Sequence, residues 1–232
     1  MENHRYGNFS SSEIFKLIKT GKGSNEFSAP GLTYIEEKKY ELRLGKSLTK
    51  EHSARPTTWG TFVESFVFEK LDMSYKLESL ERLRHKTIDH WTGAPDVNTD
   101  KLVGDIKCPY SLKSFCQAVD SMVDLETFKA AKPEYYWQLV SNAILTGKDE
   151  AESIVYCPYQ EELLKIREAT EQFDGDQNKV AWIYYANDED LPCLIKGKHY
   201  KDLNKFSFVV PEEDKNLLTE RVKMAIELLD RK

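Results

Sequence analysis

The stretch Gly93-Ala-Pro-Asp-Val-Asn-Thr-Asp-Lys-Leu-Val-Gly-Asp-Ile-Lys107 decides how this chain is read. Its second half, from Lys101 to Lys107, is short and partly alternating, the pattern of a strand. Gly93 to Asp96 and Asn98 to Asp100 carry turn chemistry. Upstream, Lys86-Thr-Ile-Asp-His-Trp91 reads as another short strand, so the expectation is a hairpin-like pair with Asp96 near its turn. Side chains at i and i+2 of a strand share a face. Asp105 and Lys107 therefore enter one space, and the turn brings Asp96 there. Two carboxylates beside one ammonium suit metal-dependent phosphodiester hydrolysis. Oxygen ligands hold one or two Mg²⁺ ions, with Mn²⁺ an acceptable substitute, and the ion supplies Lewis acidity. The lysine orients or deprotonates water and offsets charge at phosphorus. Asp-x-Lys alone equally describes an exposed strand pair, with Asp96 in an Asx turn. The rest of the chain has to discriminate.

Outward from that stretch, the chain is read as helices followed by strands with interleaved helices, an α/β or α+β order. Ser10 to Ile18 has serine N-cap candidates before helically spaced apolar residues. Thr33 to Leu44 forms a helix ending near Gly45, and Thr57 to Leu71 forms another with Phe62, Phe66 and Leu71 near one face. Pro133 occupies an N1 position of a helix running to Gly147, a good C′ glycine. Glu152 to Cys157 and Phe206 to Val210 read as strands, and Glu161 to Phe173 as an amphipathic helix. Val180 to Tyr185 fits a strand or a buried helix equally. Pro211 leads into a last charged helix ending at Leu229. With no repeat and no long Pro/Gly/Ser linker, residues 1–232 are expected to form one domain.

Composition narrows the function classes. The chain has 232 residues, 40% hydrophobic and 31% charged, with net charge −6. Such a charge does not suit a protein that coats nucleic acid through its overall field, though it leaves room for an enclosed site with local cations. Cys108, Cys116, Cys157 and Cys193 have no C-x-x-C spacing, which speaks against a zinc ribbon or an iron–sulfur cluster and for reduced thiols. No apolar run approaches the roughly 20 residues needed to cross a bilayer, and the polar start lacks a signal peptide's apolar stretch. The expectation is a cytoplasmic protein with no membrane partner.

Four segments in order then resemble one family. Pro95-Asp96 followed by Asp105-x-Lys107 matches the signature of the PD-(D/E)xK nuclease superfamily. Arg5-Tyr-Gly-Asn-Phe-Ser-Ser-Ser-Glu13, Trp59-Gly-Thr-Phe-Val-Glu64, Asp105-Ile-Lys-Cys-Pro109 and Tyr135-Tyr-Trp-Gln138 are similar to motifs of the lambda-exonuclease and YqaJ-type viral recombinase family. Several motifs in register are far more specific than one. The resemblance covers about residues 5 to 160. It implies a restriction-endonuclease-like α/β core, a central mixed sheet flanked by helices with the site at one edge. It implies metal ligation by Asp96, Asp105 and the Ile106 carbonyl, with Lys107 catalytic. Glu64 completes the metal site, and Gln138 orients groups near the nucleophile. It places Arg5, Ser12 and Lys113 around a DNA 5′-phosphate. The implied activity is Mg²⁺-dependent 5′→3′ exonuclease action on double-stranded DNA ends, leaving single strand for phage-type homologous recombination. A homotrimer and a single-strand annealing partner are implied with it. Two rival readings are an endonuclease of the same superfamily and a catalytically silent DNA-binding relative. The sequence departs from the family at Asp105, where glutamate is usual. It departs again at Ala94, where the family has a serine on the phosphate, and at Lys113, where an arginine's bidentate fork is lost. The end-binding pocket is therefore the less closely matched part.

Overall fold

The computed structural model describes residues 6–22, 26–48, 54–72, 75 and 82–230; Arg5 lies outside them. The chain enters as Phe9–Ser10 (β1), where a helix was expected to open. Ser10 is instead committed to a parallel pairing with Trp91–Gly93 (β3), Phe9 opposite Trp91 and Ser10 opposite Thr92. Only a single 3-10 turn, Ile14–Leu17, follows. Non-local pairing here overrides the local capping signal. Leu83–Arg84 (β2) completes this small sheet on the other side of β3.

The segment Lys86 to His90, expected as a strand, is a turn. His85 Nδ1 accepts the backbone N–H groups of Thr87 and Ile88 at 3.2 and 3.0 Å, its ring stacks on Trp91 with centroids 5.0 Å apart, and His90 takes φ 60°. Gly93, closing β3, has no room for a side chain: a Cβ there would lie 2.3 Å from Ser11 Oγ and 2.6 Å from Asn142 Oδ1.

The helix Ala29–Leu44 (α1) begins four residues before the expected Thr33, with Pro30 in its first turn, and ends as expected at Gly45 in the left-handed region, φ 63°; Arg55–Lys70 (α2) lies within two residues of its expected span. The larger sheet has the order Val97–Asn98 (β4), Leu102–Lys107 (β5), Glu150–Tyr156 (β6), Leu203–Val209 (β7). Only β5 and β6 are parallel. A parallel pair needs a long crossover, and Leu112–Asp120 (α3), Leu125–Ala131 (α4) and Pro133–Thr146 (α5) supply it. Gly147, φ 72°, terminates α5 as expected.

Strand alternation divides the core. Val103 packs with Leu139, Val140 and Ala143 of α5 and with Glu212–Asp230 (α8). Ile106 packs with Phe62, Val63 and Phe66 of α2. Leu163–Ala169 (α6), flanked by 3-10 turns, and Gln177–Tyr185 (α7) close that second core. The undecided Val180 segment is thus helical, opened by Asp176, whose side chain accepts the Asn178 N–H. Helices lie on both faces of a mixed sheet, in a restriction-endonuclease-like α/β arrangement.

Candidate active site

Register brings the two aspartates together. Val97 pairs with Gly104, so Asp96, one residue earlier, falls directly across from Asp105. This corrects its expected location: the turn of this hairpin is at Thr99 to Leu102, and Asp96 lies at the open end. Like charges directly opposite in an antiparallel pair destabilise a sheet. Asp105 is also 1% exposed. Because β4 is two residues long, the Ile106 N–H meets no strand there, and Asp96 Oδ2 accepts it at 2.7 Å. The N–H and C=O of a strand residue face the same edge, so the Ile106 carbonyl looks past the end of β4 beside Asp96.

Lys107 closes the group from above. Its Nζ lies 2.6 Å from Asp105 Oδ2 and donates to Gln138 Oε1 at 3.1 Å, while the Gln138 amide nitrogen donates to Asp105 Oδ1. The three side chains form a closed ring. Gln138 reaches it because Pro133 sets the start of α5, which crosses the face of β5 carrying Asp105 and Lys107. Glu64 arrives from α2, on the other layer. Burial and the Asp105 charge push Glu64 up to about 7. Burial, then the charges of Asp105 and Glu64, push Asp96 up to about 9. Burial alone would pull the Lys107 ammonium down, but Asp105 and Asp96 outweigh it and hold it above the ordinary lysine range. Two carboxyls shifted upward around one lysine make this cluster a functional-site candidate.

Does this set fit a divalent cation? Among the described residues, no three carboxylate, imidazole or thiol groups form a ready cage. Mg²⁺ seldom needs one, since it binds through one or two carboxylates and keeps several waters. Asp96, Asp105 and the Ile106 carbonyl offer that oxygen-only set, and a cation between them would offset the burial and the mutual repulsion that together raise the Asp96 and Glu64 pKa values.

That repulsion has a pH signature. A carboxyl raised in the folded state holds a proton the unfolded chain has already released, so stability falls as pH rises. Without metal, the loss begins above the ordinary carboxylate range and continues through about 7 for Glu64 and about 9 for Asp96. Metal binding must displace these protons, so its apparent affinity rises over the same interval. Melting temperature with EDTA should therefore decline from neutral to alkaline pH, and Mg²⁺ should restore it most at the alkaline end. A melting temperature independent of pH in EDTA would refute the crowding.

Gln138 bridges Lys107 and Asp105. Gln138→Ala removes the amide that orients both Asp105 and Lys107, and the expected loss is about 10- to 100-fold in kcat on linear duplex DNA, with KM little changed. A change confined to KM would assign Gln138 to substrate binding instead.

The end-binding residues are placed less tellingly. Ser12 is exposed in the turn after β1, with its Oγ 3.2 Å from Ser10 Oγ. Lys113 is exposed in the first turn of α3, and Ala94 is exposed before Pro95. Glu64, Asp96, Asp105, Lys107 and Gln138 are brought together; Ser12 and Lys113 have no hydrogen bond or ion pair to them among the described residues. Tyr135 entered the sequence reading only as the first residue of the Tyr135-to-Gln138 motif, with no role of its own. Its ring centroid is 5.6 Å from Lys107 Nζ, and its i, i+3 spacing to Gln138 was the available signal.

No protein-family profile and no curated protein matches the chain. Solved structures do. An alkaline exonuclease from Laribacter hongkongensis, LHK-Exo, superposes with TM-score 0.65 at 14% identity, over 99% of this chain and 91% of that one. The same protein in complex with dAMP gives 0.66 at 14%, over 98% and 90%. A phage-related exonuclease from Haemophilus somnus 129PT gives 0.61 at 18%, over 99% and 96%. The chain shares the fold of these exonucleases. Among the described residues, no helix is long and apolar enough to cross a membrane.

Proposed function

We propose that residues 1–232 act as one metal-dependent deoxyribonuclease unit, a 5′→3′ exonuclease on double-stranded DNA ends. The observation that carries this reading is Asp96, held beside Asp105 by accepting the Ile106 N–H at 2.7 Å just before β4, with Lys107 Nζ 2.6 Å from Asp105. The fold shared with proteins described as exonucleases supports it. One or two Mg²⁺ ions, replaceable by Mn²⁺, would be held by Asp96, Asp105, the Ile106 carbonyl and Glu64. When bound, the metal supplies Lewis acidity and a water nucleophile at neutral pH. Lys107 places its ammonium where charge develops at phosphorus and orients the attacking water. Gln138 holds Lys107 and Asp105 in one arrangement. Arg5, Ser12 and Lys113 are proposed to bind the 5′-phosphate by charge-assisted hydrogen bonds. The resemblance extends the proposal to a ring-shaped homotrimer, a single-strand annealing partner and a role in phage-type recombination.

The test is a linear duplex with Mg²⁺, labelled at either end, with and without 5′-phosphate, beside a closed circular duplex. Loss of label from phosphorylated 5′ ends with intact circles supports the proposal. Nicked circles would establish the endonuclease reading, and no cleavage with Mg²⁺ or Mn²⁺ would establish the silent relative.

A further inference from the structure

Lys132 stands at the junction of α4 and α5 and is only 8% exposed. Its backbone is pinned: its N–H donates to Phe128 at 2.8 Å, and its carbonyl accepts from Tyr135 and Tyr136 at 3.1 and 3.0 Å. Its Nζ lies 5.6 Å from the centroid of the Tyr135 ring, and Lys107 Nζ lies 5.6 Å from the same centroid. At most twice that distance separates the two ammonium groups.

Lysines this enclosed are seldom left without an anion. The neighbouring cases obey the rule. Lys129, one turn earlier, bonds both oxygens of Asp214 at 2.7 Å, and Lys107 has Asp105. Among the described residues, Lys132 has no carboxylate in ion-pair range. It also occupies the N-cap of a 14-residue helix without capping it, at the positive end of the macrodipole, where a cation is disfavoured. Its aromatic contact offsets part of that cost. Stability of the free protein does not account for the placement, whereas an incoming anion would.

Building on the nuclease reading, we propose that Lys132 is a second phosphate-binding cation of the site, holding the cleaved strand at a phosphate next to the scissile one. The limit on the separation of the two ammonium groups lets both face neighbouring phosphates of one strand. In a chain of net charge −6, substrate attraction has to come from such local cations. The competing role is apolar: the lysine stem packing on Tyr135.

Affinity for a short linear duplex, measured with Ca²⁺ in place of Mg²⁺ across a KCl series, separates the two. Lys132→Met should weaken binding roughly ten- to a hundredfold and reduce the slope of log K against log salt by about one. Lys132→Arg should keep the slope. Should the Met variant fail to fold, Lys132→Gln carries the same comparison. A wild type that cuts DNA beside a charge-free variant with an unchanged slope overturns the proposal, including the case where affinity drops through packing alone. A wild type that neither binds nor cuts overturns the nuclease reading, and this proposal with it.

Discussion

Asp105→Asn is expected to lower Mg²⁺-dependent hydrolysis of linear duplex DNA by about 10²- to 10³-fold, the scale lost when a preorganised group stabilising transition-state charge is removed. The carboxylate is at the centre of the site: Lys107 pairs with it, Gln138 donates to it, and its charge raises both Asp96 and Glu64. Asparagine preserves the shape but not the charge that would hold the metal. The same substitution should stabilise the metal-free protein at alkaline pH. With Asp105 neutral, Asp96 and Glu64 move back toward ordinary carboxylate values, and the stability lost on their ionisation shrinks. Activity and metal-free stability should thus move in opposite directions, as expected where function keeps repelling charges together. Single-turnover rates and melting curves in EDTA measure both. Residual activity within tenfold of wild type would remove Asp105 from the metal site.

Lys107→Met is the second large effect, about 10²- to 10⁴-fold, the range for a positioned proton-transfer group. Methionine keeps an unbranched stem beside Tyr135 but removes the ammonium. Lys107 also lowers the pKa values of Asp96 and Glu64, so its loss should drive both higher still and shift metal affinity toward more alkaline pH. The two roles separate in a Mg²⁺ titration. Raising Mg²⁺ or pH should recover metal occupancy, seen as thermal protection, without recovering the rate. Full recovery of rate at high Mg²⁺ would reduce Lys107 to an electrostatic tuner of the metal site.

How much of this was legible in the sequence depends on the range of the interactions. Asp105 and Lys107 on one face of a strand follow from period-two alternation alone. Pro133 and Gly147 fixed the span of α5, and with it the place of Gln138. The small sheet was not legible, because β1 and β2 are two residues long and β3 three, too short to show a period. The β1–β3 pairing joins residues more than eighty apart in sequence, Phe9 with Trp91 and Ser10 with Thr92. The crossover helices α3 and α4 were unread because, at nine and seven residues, they are too short to repeat an apolar period; Phe115 and Phe128, both fully buried, are their anchors. Lys132 had no sequence signal: a lysine before a proline is unremarkable until its burial and missing partner are seen.

The hairpin turn has a consequence for how the chain tolerates change in length. Thr99 closes it, its N–H donating to the Leu102 carbonyl at 3.0 Å and its hydroxyl oxygen accepting from Lys101 and Leu102 at 3.3 and 3.1 Å. Asp100 and Lys101 are exposed and polar, the kind of loop tip where insertions usually pass unnoticed. Here one residue gained or lost slides β4 against β5 by a single position, and side chains of period two then exchange faces. Asp96 would turn away from Asp105 into the apolar layer beneath α2. A surface turn with no chemistry of its own is thereby closed to insertion and deletion, and natural variation there should take the form of substitution.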